Sequence, residues 1–256
     1  PLSLRLIREI HETLMKGARG GERDPGQFRR SQNWIGGSRP GNASFVPPPH
    51  DELPAALGAL EKFMHGVPAK TPTLIKSGLV HAQFESIHPF LDGNGRVGRL
   101  LIPLILHVEG ALSYPLLYLS LYFKQRRTEY YDALQRVRLD GDWEGWLRFY
   151  FAGVEEVARQ GADNAEKLVQ LFESDRKKLK ALGKSAESAL KMHALLERRC
   201  IVALPIAVKE LGLSFPTVNA VMARLARAGL VKEITGRRRD RVFAYKRYWE
   251  LISDEK

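Results

Sequence analysis

The 256-residue chain contains a single cysteine, Cys200. One thiol excludes an intramolecular disulfide framework and a zinc site built on several thiolates. Scarce cysteine is typical of reducing compartments, so we expect a cytoplasmic protein. Long apolar runs are also missing, because the most apolar stretch, which starts at Leu100, is interrupted by His107 and Pro115. That stretch is too short to cross a bilayer, and we expect neither a membrane span nor a cleaved signal.

Acidic residues are few compared with basic ones. Against 40 Lys and Arg stand 29 Asp and Glu, which gives a formal net charge of +11. The hydrophobic fraction of 44% and the charged fraction of 27% are ordinary for a globular protein and exclude a largely disordered or collagen-like chain. The basic excess is compatible with nucleic acid, nucleotide phosphates or acidic proteins as partners, and equally with a solvated basic surface.

Apolar residues recur at helical spacing through much of the chain, which predicts a mainly α fold. One helix starts at Thr71 and runs into His88. The next helix is apolar and spans about 95–108. Leu6, Ile7, Ile10 and Leu14 predict an N-terminal helix. A long loop lies between this helix and the prolines at 47–49, with a short β-hairpin predicted near Asn33 to Phe45. Further helices are predicted at 125–138, 142–160 and 163–182.

The last quarter of the chain has a different pattern. A short helix is predicted over 203–211, and Ser214 is a good N-cap for a second helix that ends at Arg227. A strand, a basic turn and another strand follow and end at Tyr245. Two helices followed by a hairpin are typical of a winged helix-turn-helix domain. We therefore predict two domains, residues 1–183 and 184–256.

One segment, residues 88–99, concentrates the groups that could do chemistry; it reads His-Pro-Phe-Leu-Asp-Gly-Asn-Gly-Arg-Val-Gly-Arg. Its Gly-x-Gly-x-x-Gly spacing is not a dinucleotide fingerprint, because a helix and not a strand precedes it. Gly93 and Gly95 allow successive backbone N–H groups to form an anion nest at the start of the following helix. Arg96 and Arg99 lie three residues apart, where both can reach the same phosphates.

The same segment carries an acid and an imidazole. A carboxylate beside phosphates, such as Asp92, is typical of a magnesium ligand. His88 can take a proton from an attacking hydroxyl, because imidazole titrates near neutral pH. Each residue alone has a simpler explanation, as a cap, a turn or a solvated face. Their joint occurrence at fixed offsets favours a phosphate-binding catalytic site.

The segment matches the signature H-x-F-x-[D/E]-G-N-G-R-x-x-R at every specified position, and so resembles the Fic-domain family. Residues 28–36 and 45–49 resemble the target-docking flap of that family. Residues 81–87 and 130–134 resemble its helices before and after the signature. The C-terminal region resembles the winged helix that many members carry. The resemblance implies a helical bundle with a β-hairpin flap.

The resemblance also implies an activity. Fic enzymes move AMP from ATP onto a Tyr, Thr or Ser hydroxyl of a protein target, and pyrophosphate leaves. It makes His88 the general base and Phe90 a structural anchor. Asp92 is implied to hold Mg²⁺, with Arg96 on the β-phosphate side and Arg99 at the γ-phosphate. The residues implied to bind ATP are Asp92, Gly93, Asn94, Gly95, Arg96, Val97, Gly98 and Arg99.

Other roles are implied less directly. Tyr130 and Tyr131 lie near the adenosine in this interpretation, or they are core aromatics. Phe45 and Val46 are the flap residues expected to align a target segment by strand addition. A monomer and a homodimer are both compatible with the sequence.

An inhibitory pattern common in the family, [S/T]-x-x-x-E-[G/N], does not occur in residues 1–256. Its glutamate would pair with the second arginine of the signature. We expect that such a helix lies before Pro1, in which case residues 1–256 alone are de-repressed, or that regulation comes from another chain or does not exist.

Two alternative functions remain. The first is a DNA-binding regulator that uses residues 214–245, where basic side chains are frequent. The second is Fic-type transfer of another phosphate-linked group, or removal of AMP. An intact signature and a basic phosphate clamp favour AMP transfer over the second alternative. The arginines of the predicted wing are Arg237, Arg238, Arg239 and Arg241.

Overall fold

The computed structural model describes residues 2–17, 24–183 and 186–253. Contacts divide the chain into two units, unit 1 (Pro1–Ala158) and unit 2 (Arg159–Lys256). The domain boundary predicted between residues 183 and 184 borders positions 184 and 185, which lie outside the described residues. That boundary stays a prediction. Within the described ranges, no helix is both long and apolar enough to cross a membrane.

The regular secondary structure described in unit 1 is helical apart from one β-bridge, which confirms the mainly α prediction. The two helices predicted at 142–160 and 163–182 form one continuous helix, so that prediction was wrong. Gly161 does not end the helix, because one glycine in a helix costs only about 1 kcal/mol and no proline is nearby. The helices are α1 (Leu4–Met15), α2 (Leu53–Met64), α3 (Thr73–Ile87), α4 (Asn94–Val108), α5 (Leu119–Gln125), α6 (Arg127–Asp140) and α7 (Trp143–Lys180), the last of which continues into unit 2.

Helices α3 and α4 lie at the centre of unit 1, between two apolar clusters. One cluster joins them to α1 and α2, through residues such as Ile7, Leu57 and Phe84. The other joins them to α5, α6 and α7, through residues such as Phe123 and Trp146. Because both helices are packed on two sides, the loop that connects them is held at fixed ends.

The flap, residues 28–49, contains one antiparallel β-bridge, between Ile35 and Phe45. The predicted hairpin is therefore reduced to a single bridge. Prolines follow Val46, and a proline has no N–H with which to extend the ladder. The flap is tied to α6, because Gln135 Nε2 donates to the Ser44 carbonyl at 2.8 Å.

Unit 2 contains α8 (Ala186–Arg199), β1 (Ile201–Ala203), α9 (Leu204–Leu211), α10 (Phe215–Arg227), β2 (Val231–Glu233), β3 (Val242–Tyr245) and α11 (Lys246–Ser253). Strand β3 lies between β1 and β2 and pairs antiparallel with both. Ser214 Oγ accepts from the Thr217 N–H at 3.3 Å, which confirms the predicted N-cap of α10. The assignment of this unit to the winged-helix fold stays a prediction.

A test of the packing compares two helical glycines. A Cβ at Gly78 of α3 would lie 2.8 Å from Tyr150 Cδ1, whereas a Cβ at Gly58 of α2 would meet open space. We expect Gly78→Ala to lower the free energy of unfolding by about 1–3 kcal/mol, because it overpacks the contact between α3 and α7. Gly58→Ala should raise it by about 0.5–1 kcal/mol. Urea denaturation measures both, and stabilisation by both alanines would contradict the close approach.

Candidate active site

His88 lies at the C-cap of α3 in the left-handed conformation, with φ of 51° and ψ of 57°. That conformation is uncommon for a residue with a side chain, so it requires support. The His88 carbonyl accepts from Arg29 Nε at 3.0 Å and from Asn33 Nδ2 at 3.2 Å. Two flap side chains therefore fix the backbone that carries the imidazole.

Arg29 is a buried cation, 3% exposed, and sequence analysis gave it no role. Its guanidinium donates only to backbone carbonyls, and burial lowers the pKa of the group. Its own N–H also donates to the Pro89 carbonyl at 2.9 Å. The guanidinium itself donates to four carbonyls, those of His88 at 3.0 Å, Ser31 at 3.1 Å, Pro48 at 2.5 Å and Ile87 at 3.4 Å. They compensate the buried charge and bind the flap to the end of α3.

The His88 imidazole is oriented by its own helix. Nδ1 lies 3.3 Å from the Glu85 carbonyl. A carbonyl only accepts, so Nδ1 carries the proton and Nε2 keeps a lone pair. Burial, together with the charges of Arg138 and Arg29, lowers the pKa of His88 to about 4, although the contact with the Glu85 carbonyl opposes the shift. At neutral pH the ring is therefore neutral and able to accept a proton at Nε2.

The loop after His88 is closed by a buried asparagine. Asn94 Oδ1 accepts from the Phe90 N–H, and Asn94 Nδ2 donates to the Phe90 carbonyl, both at 2.8 Å. The Phe90 ring is fully buried and stacks on His11 with ring centroids 3.8 Å apart. His11 Nδ1 accepts from the Gly26 N–H at 2.8 Å, so its Nε2–H donates to the Asp92 carbonyl at 3.0 Å. This agrees with the predicted anchoring role of Phe90.

Gly93 precedes α4 in the left-handed region, with φ of 80°. A Cβ there would lie 2.9 Å from Met15 Sδ, so both the conformation and the space require glycine. The amides of Arg96 and Val97 already bond to the Gly93 carbonyl. The first-turn amides of Asn94 and Gly95 precede those bonds and are the donors that a helix N-terminus offers to an anion.

The charged side chains of the segment surround this helix end. Asp92 Oδ1 accepts from the Gly93 N–H at 2.5 Å and lies 3.8 Å from an Arg96 guanidinium nitrogen. The Arg99 guanidinium folds back along α4. Its Nη1 lies 2.9 Å from the position that a Cβ would take at Gly95. Both arginines are partly exposed and reach the amino end of α4.

The described residues contain no group of three or more acidic, histidine or cysteine side chains that could enclose a metal ion. Asp92 is a single carboxylate, with its side chain 38% exposed. Such a donor set fits Mg²⁺ when phosphates and water complete the shell, and does not fit an all-protein metal site.

The two predicted tyrosines separate. Tyr130 is buried, its hydroxyl lies 2.9 Å from His81 Nε2, and its ring stacks on Phe123 at 4.6 Å. Of the two alternatives, the structure places Tyr130 in the core. Tyr131 is exposed, with the Arg127 guanidinium 5.6 Å from its ring centre, and its adenosine role stays a prediction.

In the flap, the Phe45 ring lies 4.4 Å from the Arg138 guanidinium. Val46 is 44% exposed, beside the single β-bridge. Of the two flap residues, Val46 is therefore the one open to a target, and its docking role stays a prediction.

Glu85, on α3, is a buried carboxyl that sequence analysis missed. It is 6% exposed, and its Oε1 has no hydrogen-bond partner among the described residues. Burial raises the pKa of Glu85 to about 7, against the opposing charges of Arg99 and Arg138. Its position on a helix of mixed polarity gave no sign that the carboxyl would face inward.

Asn94→Ala tests the closed loop. The variant removes two buried hydrogen bonds and leaves the Phe90 N–H without an acceptor, whereas the Phe90 carbonyl keeps the hydrogen bond from Asn33 Nδ2 at 3.0 Å. The free energy of unfolding should therefore fall by about 1–3 kcal/mol. Asn94→Asp keeps the acceptor for the Phe90 N–H and loses the donor, so it should also destabilise. Chemical denaturation and hydrogen exchange at the Phe90 amide measure the effects. An unchanged exchange rate would contradict the closed loop.

Comparison with known proteins places this site in a family. Residues 1–106 match the model of the Fic/DOC family. The chain is 35% identical to a protein adenylyltransferase Fic of Aedes aegypti over 152 residues, 58% of this chain and 27% of the relative. It is 30% identical to the protein of the same name from Drosophila erecta over 175 residues, 67% of this chain and 29% of that relative. The chain thus spans less than a third of the relatives' length.

Solved structures show the same fold. A Fic family protein from Desulfovibrio desulfuricans G20 superposes with a TM-score of 0.55 at 21% identity, covering 94% of this chain and 68% of that one. Fic-1 from C. elegans (residues 134–508) gives a TM-score of 0.50 at 24% identity, covering 64% and 45% respectively. Residues 1–106 therefore carry a Fic domain, with the signature on the loop from α3 to α4.

Proposed function

We propose that the protein is an adenylyltransferase that moves AMP from ATP to a Tyr, Thr or Ser hydroxyl of a protein target. The observation that carries the proposal is the His88 imidazole, neutral and with its proton on Nδ1, on a loop that ends at the anion-binding end of α4. The similar proteins named protein adenylyltransferase Fic support the same activity. An intact phosphate clamp favours addition of AMP over its removal.

In this mechanism, the phosphates of ATP lie at the first-turn amides of α4. Arg96 and Arg99 neutralise the β- and γ-phosphates. His88 Nε2 takes the proton from the target hydroxyl as its oxygen attacks the α-phosphorus. The bond from the α-phosphorus to the bridging oxygen breaks, and pyrophosphate leaves with the electron pair. The protein contributes mainly position and fixed charge.

Asp92 would hold Mg²⁺ together with the phosphates, since one half-exposed carboxylate matches the way this ion is bound beside nucleotides. The ion would supply positive charge at the phosphate oxygens. Asp92 itself is fixed by the Gly93 amide and by Arg96, so the carboxylate is held beside the nest.

The protein target would bind at the flap. The bridge between Ile35 and Phe45 leaves the exposed Val46 beside it, where an extended segment can add main-chain hydrogen bonds. Main-chain pairing aligns a target without reading its sequence, so the acceptor hydroxyl is placed by geometry.

For unit 2 we propose a winged helix. Its basic turn favours a nucleic-acid partner, because Arg237, Arg238 and Arg239 are exposed. Two features of α10 argue against recognition of DNA bases by this helix. Asn219 already accepts a hydrogen bond from Arg241, and the apolar Phe215 is exposed at the start of the helix. A DNA-binding regulator is therefore the second candidate function, and its affinity would fall steeply with salt. A cytoplasmic location and a homodimer stay predictions.

His88→Ala tests the role of the base. Incubation with ATP and Mg²⁺ should add AMP to the wild-type chain, or to target proteins in an extract supplied with a labelled ATP. The variant should lose at least about 100-fold in transfer rate, because it lacks the proton acceptor. ATP binding should be kept, since the amides and arginines of α4 are intact. Intact mass and label incorporation measure transfer, and calorimetry measures binding.

His65→Ala is the matched control, because His65 is exposed at the end of α2. It should transfer AMP at the wild-type rate. Equal transfer by His88→Ala and the wild type would contradict the general-base role. Absence of AMP from both the chain and the extract would contradict the proposed activity.

A further inference from the structure

The second half of the flap rests on α6. Gln135 Nε2 donates to the Ser44 carbonyl at 2.8 Å, and the Arg138 guanidinium carbon lies over the Phe45 ring, 4.4 Å from its centre. Gln135 and Arg138 are three residues apart on one helix, so they share a face. Two side chains of α6 thus contact two neighbouring residues of the flap.

The other contacts of Arg138 include the end of α3. Its Nη2 donates to the Glu85 carbonyl at 3.0 Å, and its Nε donates to Ser86 Oγ at 3.5 Å. The last carbonyls of a helix have no partner within the helix, and a guanidinium can supply one. The same Glu85 carbonyl also accepts from His88 Nδ1 at 3.3 Å. One guanidinium therefore contacts both the flap and the carbonyl that orients the base.

The docking strand, residues 44–46, needs this support. The base of the flap is held without α6, because Gln32 and Arg29 donate to the carbonyls of Pro47 and Pro48. Further out, the strand pairs with the rest of the flap through the single bridge at Ile35. Two short strands are marginally stable by themselves in water. The position of the docking strand therefore depends on its contacts with α6.

The contact with α6 also sets which way the docking strand faces. Side chains alternate between the two faces of an extended strand. Phe45 is half-buried against Arg138, whereas Val46 is 44% exposed. A slip of one residue would exchange these two faces. Fixing the Phe45 ring on α6 therefore keeps Val46 on the face that is open to a target.

We propose that Arg138 is a positioning residue, whose guanidinium sets the place of the docking strand relative to His88. The inference rests on the proposed function, since the flap is there assigned to the protein target. Arg138 acts through the Phe45 ring and the Glu85 carbonyl. Transfer of AMP to a protein should therefore depend on Arg138, and binding of ATP should not.

A guanidinium suits both contacts of this side chain. It is planar and carries several N–H donors, so it can lie over an aromatic ring and donate to a carbonyl at the same time. The single nitrogen of a lysine can approach the ring or the carbonyl, but it cannot keep both contacts in the same geometry. Arg138→Lys therefore keeps the charge and removes the connection.

The first test is hydrogen exchange in the nucleotide-free protein. The Ile35 and Ser44 amides donate across the bridge, both at 2.9 Å, whereas the Arg29 amide donates to the Pro89 carbonyl at the base of the flap. Arg138→Leu should speed exchange at the bridge amides about 10-fold more than at the Arg29 amide, the factor expected for one lost cation–π contact. Acceleration no greater at the bridge than at Arg29 would overturn the proposal, whatever the protein's activity.

The second test compares AMP transfer with ATP binding. Incorporation of label from ATP into the proteins of an extract should fall about 10-fold in Arg138→Leu, whereas the Kd for MgATP, measured by calorimetry, should change less than about 2-fold. Arg138→Lys should recover transfer only in part. Equal losses of transfer and of ATP affinity would mark the residue as merely structural and overturn the proposal. Full transfer by Arg138→Lys would also overturn it.

Arg136→Leu is the matched control, because it removes the same charge from an exposed position on α6, where Arg136 pairs with Asp142 at the surface. It should leave the exchange of the bridge amides and the transfer rate at their wild-type values. A loss of transfer equal to that of Arg138→Leu would assign the effect to the charge of the helix and overturn the proposal.

The third test is a double-mutant cycle. Because the connection needs both partners, Phe45→Leu should lower transfer by a factor similar to that of Arg138→Leu, and the double variant should be no more than about 2-fold slower than either. Two factors that multiply would overturn the proposal. If the wild type transferred no AMP, the proposed function would fail, and the exchange result would still decide the role of Arg138.

Discussion

The two hydrogen bonds from the Asn94 side chain to the backbone of Phe90 are the interaction on which the rest of the site depends. They turn a glycine-rich segment, which has many conformations in an unfolded chain, into one closed loop. His88 lies just before that loop and the first amides of α4 just after it. The distance between a proton acceptor and an anion-binding helix end is therefore set by one buried side chain, and binding of a ligand need not order the loop.

The closed loop is in turn held by distant parts of the chain. Phe90 is buried against His11 of α1, and the His88 carbonyl is bound by flap residues. The inward-facing groups of the loop therefore contact residues more than fifty positions away in the sequence. The His88 carbonyl accepts hydrogen bonds, and the Phe90 ring stacks on an imidazole. This arrangement leaves the outward groups, the imidazole and the amides of Asn94 and Gly95, free for chemistry.

The sequence predicted what depends on local spacing. The 88–99 segment, the ends of α3 and α4 and the Ser214 cap follow from short-range rules, and the structure agrees with them. The roles of Arg29 and His11 and the burial of the Glu85 carboxyl could not be predicted, because each depends on neighbours brought together only by the fold. Tyr130 was left open for the same reason, since an aromatic residue on a half-buried helix fits either face. The break predicted within α7 failed because a single glycine only weakens a helix, and packing elsewhere outweighs that loss.

Arg29 binds only main-chain carbonyls, and this has a consequence for how the site tolerates change in sequence. Ser31, Pro48, Ile87 and His88 offer their carbonyls whatever side chains they carry, so those contacts do not restrict which residues stand at these positions. The restriction falls on Arg29 itself. A lysine there would carry the same charge on a single nitrogen, and one point cannot reach carbonyls spread around a planar fork. The positions whose carbonyls Arg29 contacts can therefore change their side chains, provided that Arg29 itself is kept.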